Sequence, residues 1–259
     1  KAFPNRQTLS DQLSWSHYIL LAKIEKEEAR NFYLTECMAS KWSVRELERQ
    51  ISSLLYERLA LSKDNEKVLE LSRKGHHIKT PSDLVKDPYV LEFLGLKQVN
   101  SYYEKDLEQA LIDHLQEFLL ELGKGFAFVA RQKRITIDGD HFYIDLVFYN
   151  RLAKCFVLID LKVGKLTHQD LGQMQMYVNF YKRTQMIEGE NDPIGILLCS
   201  DKNEAVVKFT LPEDQKQIFA SKYKLYFPSE EELKKELLRE REILETAKMI
   251  KRGETRNGE

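Results

Sequence analysis

Cysteine is scarce: Cys37, Cys155 and Cys199 are the only three in 259 residues, and no two form a CxxC pair. That excludes a disulfide framework and a structural zinc site, and it fits a reducing compartment. Net charge is nearly absent, with 40 Lys and Arg against 41 Asp and Glu, a balance of -1. The chain is therefore no polycation that coats nucleic acid by charge alone, and a DNA or RNA partner needs a local basic surface. No apolar run reaches the roughly 18–20 residues of a membrane span, and no signal peptide is visible at the start. These absences lead to the expectation of a soluble cytoplasmic protein. No GxxxxGK[ST] loop occurs, so ATP hydrolysis by this chain is not expected. No GxSxG or Cys/His arrangement stands out for nucleophilic catalysis. Internal repeats and low-complexity segments are missing too. The sequence begins at Lys1 without a Met, which fits a fragment or a processed chain.

What is present is 42% hydrophobic and 31% charged residues, enough for a sizeable core in one large domain or two ordinary ones. Residues 1–100 read as helical. "SWSHYILLAKI" and "EEARNFYLTECMASKW" carry apolar residues three and four apart. Ser43 and Glu46 form a capping-box pattern ahead of an apolar stripe at Val44, Leu47, Ile51, Leu54, Leu55 and Leu59. Gly75, Pro81, Pro88 and Gly95 punctuate 74–101, which predicts a packed connector with short helical turns and a boundary near 100.

From about 103 the pattern becomes helix, strands, helix, strand. "YEKDLEQALIDHLQEFLLELG" predicts one long amphipathic helix ending at Gly123. "GFAFVARQKRITI" and "HFYIDLVFYN" predict strands joined around Asp138-Gly139. "AKCFVLIDLKV" predicts the next strand. "THQDLGQMQMYVNFYKRT" predicts a helix capped by Thr167, "PIGILLCS" a buried strand, and "KYKLYF" a further one. Residues 229–250 predict a charged helix.

The stretch His141–Leu166 sets charges inside apolar strands. With a turn centred near Leu152 and Ala153, facing residues sum to 305. Tyr149 then meets Phe156, Val147 meets Leu158, Asp145 meets Asp160, and Tyr143 meets Lys162. Period-two alternation puts these eight on one face. Ile144, Leu146, Phe148, Val157, Ile159 and Leu161 fall on the other, which must be core. Two aspartates across an antiparallel ladder repel, and a semi-buried pair resists joint ionisation. A divalent cation removes the conflict, and Mg²⁺ or Mn²⁺ suits carboxylate oxygens. Lys162 returns to the same face, where it can orient water or stabilise charge developing on phosphate. The alternative is a solvated sheet edge with Lys162 as a salt-bridge partner.

Asp145 followed by a hairpin and Asp160-Leu161-Lys162 resembles the core of the PD-(D/E)xK nuclease superfamily. Ile144 stands where that pattern usually has Pro, and Asp160 where Glu is commoner. Gln173 and Tyr177 resemble the Q-x-x-x-Y element of its exonuclease-like branch. Glu108 resembles the acidic residue that the preceding helix contributes to the metal site. The phrases "LSWSHY", "WSVRELERQISSLLYERL", "DPYVLEFLGL", "FYIDLVFY" and "GQM" resemble the YhcG-type bacterial family over nearly the whole chain. The resemblance implies an α/β restriction-endonuclease-like mixed sheet flanked by helices at 101–228. An all-helical region at 1–100 precedes it, lacking some upstream sequence, and a charged helix and tail follow at 229–259.

The implied function is a metal-dependent nuclease acting on DNA. Asp145, Asp160 and Glu108 would hold Mg²⁺ or Mn²⁺, Lys162 would position the nucleophile, and Gln173 and Tyr177 would shape the site or touch the substrate backbone. The alternative is an inactive nuclease fold that binds nucleic acid or protein. Gln132 counts as a contact to the metal's water or to the substrate, because a two-residue turn at 138–139 sets it across from Asp145. Lys165, and His168 beside it, are phosphate-contact candidates. Lys41, Trp42, Arg45 and Arg49 could enter a nucleic-acid groove, although Glu46 and Glu48 make an ordinary charged face the simpler reading. The helical region could instead serve a homodimer or a protein partner. His76-His77 lacks the i, i+4 spacing of a helical zinc site. No membrane partner is expected.

Overall fold

In the computed structural model of the chain, which describes residues 13–60, 65–78, 80–96, 103–212, 214–225 and Glu231, helices come first and strands later. Two compact units divide between His77 and Ile78. The first is helical: α1 Trp15–Ala22, α2 Glu27–Ser40, α3 Val44–Ser52, α4 Leu55–Ala60 and α5 Asn65–Lys74. The Ser43 cap forms as read. Its backbone N–H donates to Glu46 Oε2 at 2.6 Å, and Glu46 N–H donates to Ser43 Oγ at 3.2 Å. Reciprocal bonds of this kind satisfy two donors that a helix start leaves open. The stripe from Val44 to Leu59 is two helices rather than one, because Leu54 takes a left-handed φ of 50° and ends the first. Leu47 and Leu59 are buried on either side of that break, with Phe32 and Tyr56.

The second unit begins at Ile78, not near 101. Leu84, Tyr89, Leu91 and Leu94 are buried in its core, so the expected connector is part of the domain. Tyr89–Val90 forms β1, a strand where only helical turns were expected. Next come α6 Glu104–Asp113 and α7 Leu115–Leu122. One long helix was expected there, but His114 leaves the helical basin at φ -113°, ψ 36° and splits it. Gly123 ends α7 at φ 107°, a conformation that favours glycine.

The strands are β2 Phe126–Ile137, β3 Asp140–Asn150 and β4 Cys155–Lys165. Asp138 and Gly139 both take positive φ, 49° and 89°, as a tight hairpin turn needs. Then follow α8 His168–Thr184, β5 Ile194–Asp201, α9 Glu204–Thr210 and β6 Ile218–Lys224. Thr167 caps α8 as expected, accepting from Asp170 N–H. The charged helix expected at 229–250 lies outside the described residues apart from Glu231.

The sheet order is β1-β6-β5-β4-β3-β2. The β2–β3 and β3–β4 pairs are antiparallel; β4–β5, β5–β6 and β6–β1 are parallel. Helices cover both faces of this mixed sheet, as expected of a restriction-endonuclease-like domain. On one face Leu107, Leu111, Phe118 and Leu122 pack on Leu146, Phe148, Val157, Ile159 and Leu161. On the other, Leu171, Met174, Tyr177 and Val178 pack on Val147, Leu158 and Leu197. Ile144 joins this second layer rather than that of Leu146. The switch of face coincides with the end of the β3–β4 ladder at Leu146.

Gly195 lets α8 approach β5 closely. A Cβ there would overlap the Met174 side chain and lie 3.1 Å from Val178 Cγ2. Gly195→Ala is expected to cost about 1–3 kcal/mol through overpacking, read as a lower urea midpoint by circular dichroism.

All three cysteines are free and buried. Burial pushes the Cys37 thiol up to about 11 and those of Cys155 and Cys199 up to about 12, so they behave as small apolar core residues. Among the described residues, no helix is long and apolar enough to cross a membrane.

Candidate active site

Strands β3 and β4 pair as Asn150–Cys155, Tyr149–Phe156, Phe148–Val157, Val147–Leu158 and Leu146–Ile159. This is the register in which partners sum to 305. The next pair would be Asp145 and Asp160, and there the ladder stops. Strand β4 continues along β5, with Asp160 beside Leu197 and Lys162 beside Cys199. Strand β3 continues along β2. The Tyr143–Lys162 pair expected from the register is therefore not formed, because the strands have parted. Side chains finish the ladder instead. Asp145 Oδ2 accepts Leu161 N–H at 2.8 Å, and Asp145 N–H points at Asp160 Oδ1, 3.5 Å away.

The gap is a poor place for two negative charges. Asp160 is 2% exposed. Burial, and then the charge of Asp145, push its carboxyl up to about 7. Asp145 is also raised, chiefly by burial, although Leu161 N–H, Lys162 and Gln132 work against the shift. Lys162 Nζ lies 3.5 Å from Asp160, 3.6 Å from Glu104 and 3.8 Å from Asp170. Burial alone would lower this ammonium, but Asp160, Glu104, Asp145 and Asp170 together outweigh it and raise its pKa. The surrounding carboxylates thus favour the charged form of Lys162.

Glu108 reaches the same place from α6 and is 4% exposed. Arg131 Nε donates to its Oε1 at 3.1 Å, and Gln132 Nε2 to its Oε2 at 2.6 Å. The same Gln132 nitrogen donates to Asp145 Oδ1 at 3.0 Å. Gln132 thus lies beside Asp145, as the two-residue turn requires, but in a left-handed backbone conformation of φ 44° within a strand. A Cβ makes that region costly, by on the order of 1–3 kcal/mol. The three carboxylates expected to share a metal do not meet at one point, since the Gln132 amide stands between Glu108 and Asp145. Among the described residues, no group of three or more His, Cys, Asp or Glu side chains is gathered to hold an ion.

On α8, the Gln173 amide donates to the Tyr177 hydroxyl, which donates to the Tyr143 carbonyl at 2.9 Å. Tyr177 is fully buried. These two residues anchor the strand that carries Asp145, from two residues away. Lys165 sits at the exposed end of β4 beside Asp201. His168 is exposed at the start of α8. The described contacts of Asp145, Asp160 and Glu108 include neither.

Three partners were missed from the sequence. Glu104 lies one helical turn before Glu108, a spacing that could have shown it. Asp170 was legible as the third residue of the Thr167 cap, but not as a neighbour of Lys162. Arg131 gave no signal in its spacing. What the arrangement supplies is two frustrated carboxylates, a third held close by, and a fixed ammonium, all suited to a cation and a phosphate group.

The model of the YhcG PDDEXK nuclease domain matches residues 82–238, and that of the DUF1016 N-terminal domain matches residues 1–58. The Escherichia coli (strain K12) protein named "Putative nuclease YhcG" is 43% identical over 242 residues, covering 92% of this chain. The chain spans 64% of that relative's length. Two solved structures are similar over about half of each chain. A repair endonuclease from Pyrococcus abyssi has a TM-score of 0.33 at 22% identity, covering 49% of this chain and 50% of its own. The EndoMS–dsDNA2 complex has a TM-score of 0.34 at 18% identity, covering 52% and 48%.

Proposed function

The chain belongs to the YhcG family of PDDEXK nucleases, and we propose that it hydrolyses phosphodiester bonds in DNA with the help of Mg²⁺ or Mn²⁺. One observation carries this reading. The β3–β4 ladder stops where Asp145 and Asp160 face each other, and burial together with the charge of Asp145 pushes the Asp160 carboxyl up to about 7 even with Lys162 3.5 Å away. The donor set fits a hard divalent cation, which takes one or two carboxylates and completes its shell with water and phosphate oxygens. Asp145 and Asp160 would hold it, with Glu108 as a further ligand. When bound, the cation supplies activation of water and neutralises charge on the phosphate.

The chain's own residues do the rest. The Lys162 ammonium, held by Asp160, Glu104 and Asp170, places fixed positive charge where negative charge develops on the phosphate. The Tyr177 hydroxyl, through the Tyr143 carbonyl, keeps the Asp145 segment in place. Lys133 and Arg134 stand exposed on edge strand β2 and offer the local basic surface that a chain of net charge -1 needs to attract a phosphate backbone. The test is cleavage of end-labelled single- and double-stranded DNA and RNA with Mg²⁺, Mn²⁺ or chelator. Cation-dependent cutting of DNA is expected. Cutting of RNA alone would replace the substrate, and cutting of nothing would remove the enzymatic reading.

A further inference from the structure

We propose that Gln132 is a gate on the cation site: its side-chain amide occupies the point between Glu108 and Asp145 that a cation would need, and it must swing out before those carboxylates can share one. The inference rests on the reading of this site as cation-dependent, and adds a residue that controls access.

All four oxygens of the Glu108 and Asp145 carboxylates are already engaged. Glu108 Oε1 is taken by Arg131, and Asp145 Oδ2 by Leu161 N–H. The remaining two oxygens, Glu108 Oε2 and Asp145 Oδ1, both accept from Gln132 Nε2, at 2.6 and 3.0 Å. The amide cannot be turned the other way. An amide oxygen at that point would face two carboxylate oxygens with no proton among them, whereas the NH₂ end has one hydrogen for each. A neutral group with two partly positive hydrogens therefore bridges two anions, a weak version of what a divalent cation does.

Backbone strain at Gln132 supports a functional role. A non-glycine residue at φ 44° inside a strand is disfavoured, and such conformations persist where the surroundings hold them. Here the two carboxylate bonds supply the hold. Gln132 is also exposed, so its side chain has open solvent to swing into. Removing the amide leaves both carboxylates oriented, because Arg131 and Leu161 N–H still grip their outer oxygens. Gln132 thus acts against cation binding more than it prepares for it. It is a positioning residue for the cation-free state.

The test is calorimetric titration of Mn²⁺ into the parent chain, Gln132→Gly and Gln132→Asn. Glycine takes the left-handed backbone freely and removes the amide. Asparagine tolerates that backbone better than other side chains and is too short to span both carboxylates. The expected result is a dissociation constant lower by about tenfold or more in both variants, because the two charge-assisted hydrogen bonds of the amide no longer have to be broken. In the parent, the Gln132 side-chain ¹⁵N–¹H resonances should shift as Mg²⁺ is added. Unchanged or weaker binding in the variants, with the parent still binding, would overturn the gate and leave the nuclease reading intact. Unmoved Gln132 resonances at saturating Mg²⁺ would overturn it equally, even if neither variant folds. No cation binding by any of the three chains would overturn both.

Discussion

Replacing Lys162 by Met should lower the single-turnover cleavage rate by about 10²–10³-fold, the range seen when one preorganised electrostatic group is removed from a site of developing charge. The geometry explains why a single side chain carries so much. The Lys162 ammonium lies 3.5 Å from Asp160, and Glu104 and Asp170 hold it in place. Because those carboxylates favour its charged form, the role proposed for it is fixed charge and not proton acceptance. Lys162→Arg then serves as the deciding partner. A guanidinium keeps the charge but not the shape, so Arg should recover part of the lost rate. A residue acting as a base would gain nothing from Arg. Equal loss in both variants, with folding unchanged by circular dichroism, would count against the fixed-charge role. Retention of full rate by Lys162→Met would remove Lys162 from the chemistry altogether.

The same site shows how far a sequence can be read. The β3–β4 register followed from one guess about the turn, and every ladder pair obeys it. It was readable because both strands are apolar and period-two alternation leaves few registers that bury both. Gln132 was placed beside Asp145 by counting from Asp138-Gly139, since a two-residue turn fixes its strands. The parting of the strands at Asp145 was not readable. It depends on β4 finding a second partner in β5, a contact between segments far apart in sequence. For the same reason Ile144 turned to the layer of Tyr177 against the alternation.

Helix breaks at Leu54 and His114 escaped because apolar spacing carries across a single residue that changes conformation. Residues 80–96 looked like a connector because Gly and Pro punctuate them. Their burial depends on a sheet built mostly from later residues. Arg131 is the sharpest case. Its role at Glu108 exists only once α6 is laid over β2, and no local pattern announces that.

Asp160→Asn should make the cation-free protein more stable at pH 8 while it abolishes cleavage. In the unfolded chain the Asp160 carboxyl has its ordinary value of 3.8; in the folded protein, burial and Asp145 raise it to about 7. Between those values the folded state keeps a proton that the unfolded state has lost. Stability therefore falls as pH rises through that window, and the loss is complete above the folded value. A gap of about three units corresponds to a few kcal/mol, shared across the Asp145–Asp160 pair. Asparagine has nearly the same shape and no charge to bury, so the variant's stability should fall less steeply over the same window, with only the burial of Asp145 left to lower it. Urea unfolding in chelator at pH 5 and pH 8 measures this directly: the parent should weaken between the two, and the variant should weaken less. Adding Mg²⁺ at pH 8 should restore the parent, because a ligand that binds only the folded state stabilises it, and should do little for the variant. A parent that is equally stable at both pH values, or a variant weaker than the parent at pH 8, would mean that the carboxylates are not in conflict. The frustration at the end of the ladder would then be no reason to expect a cation there.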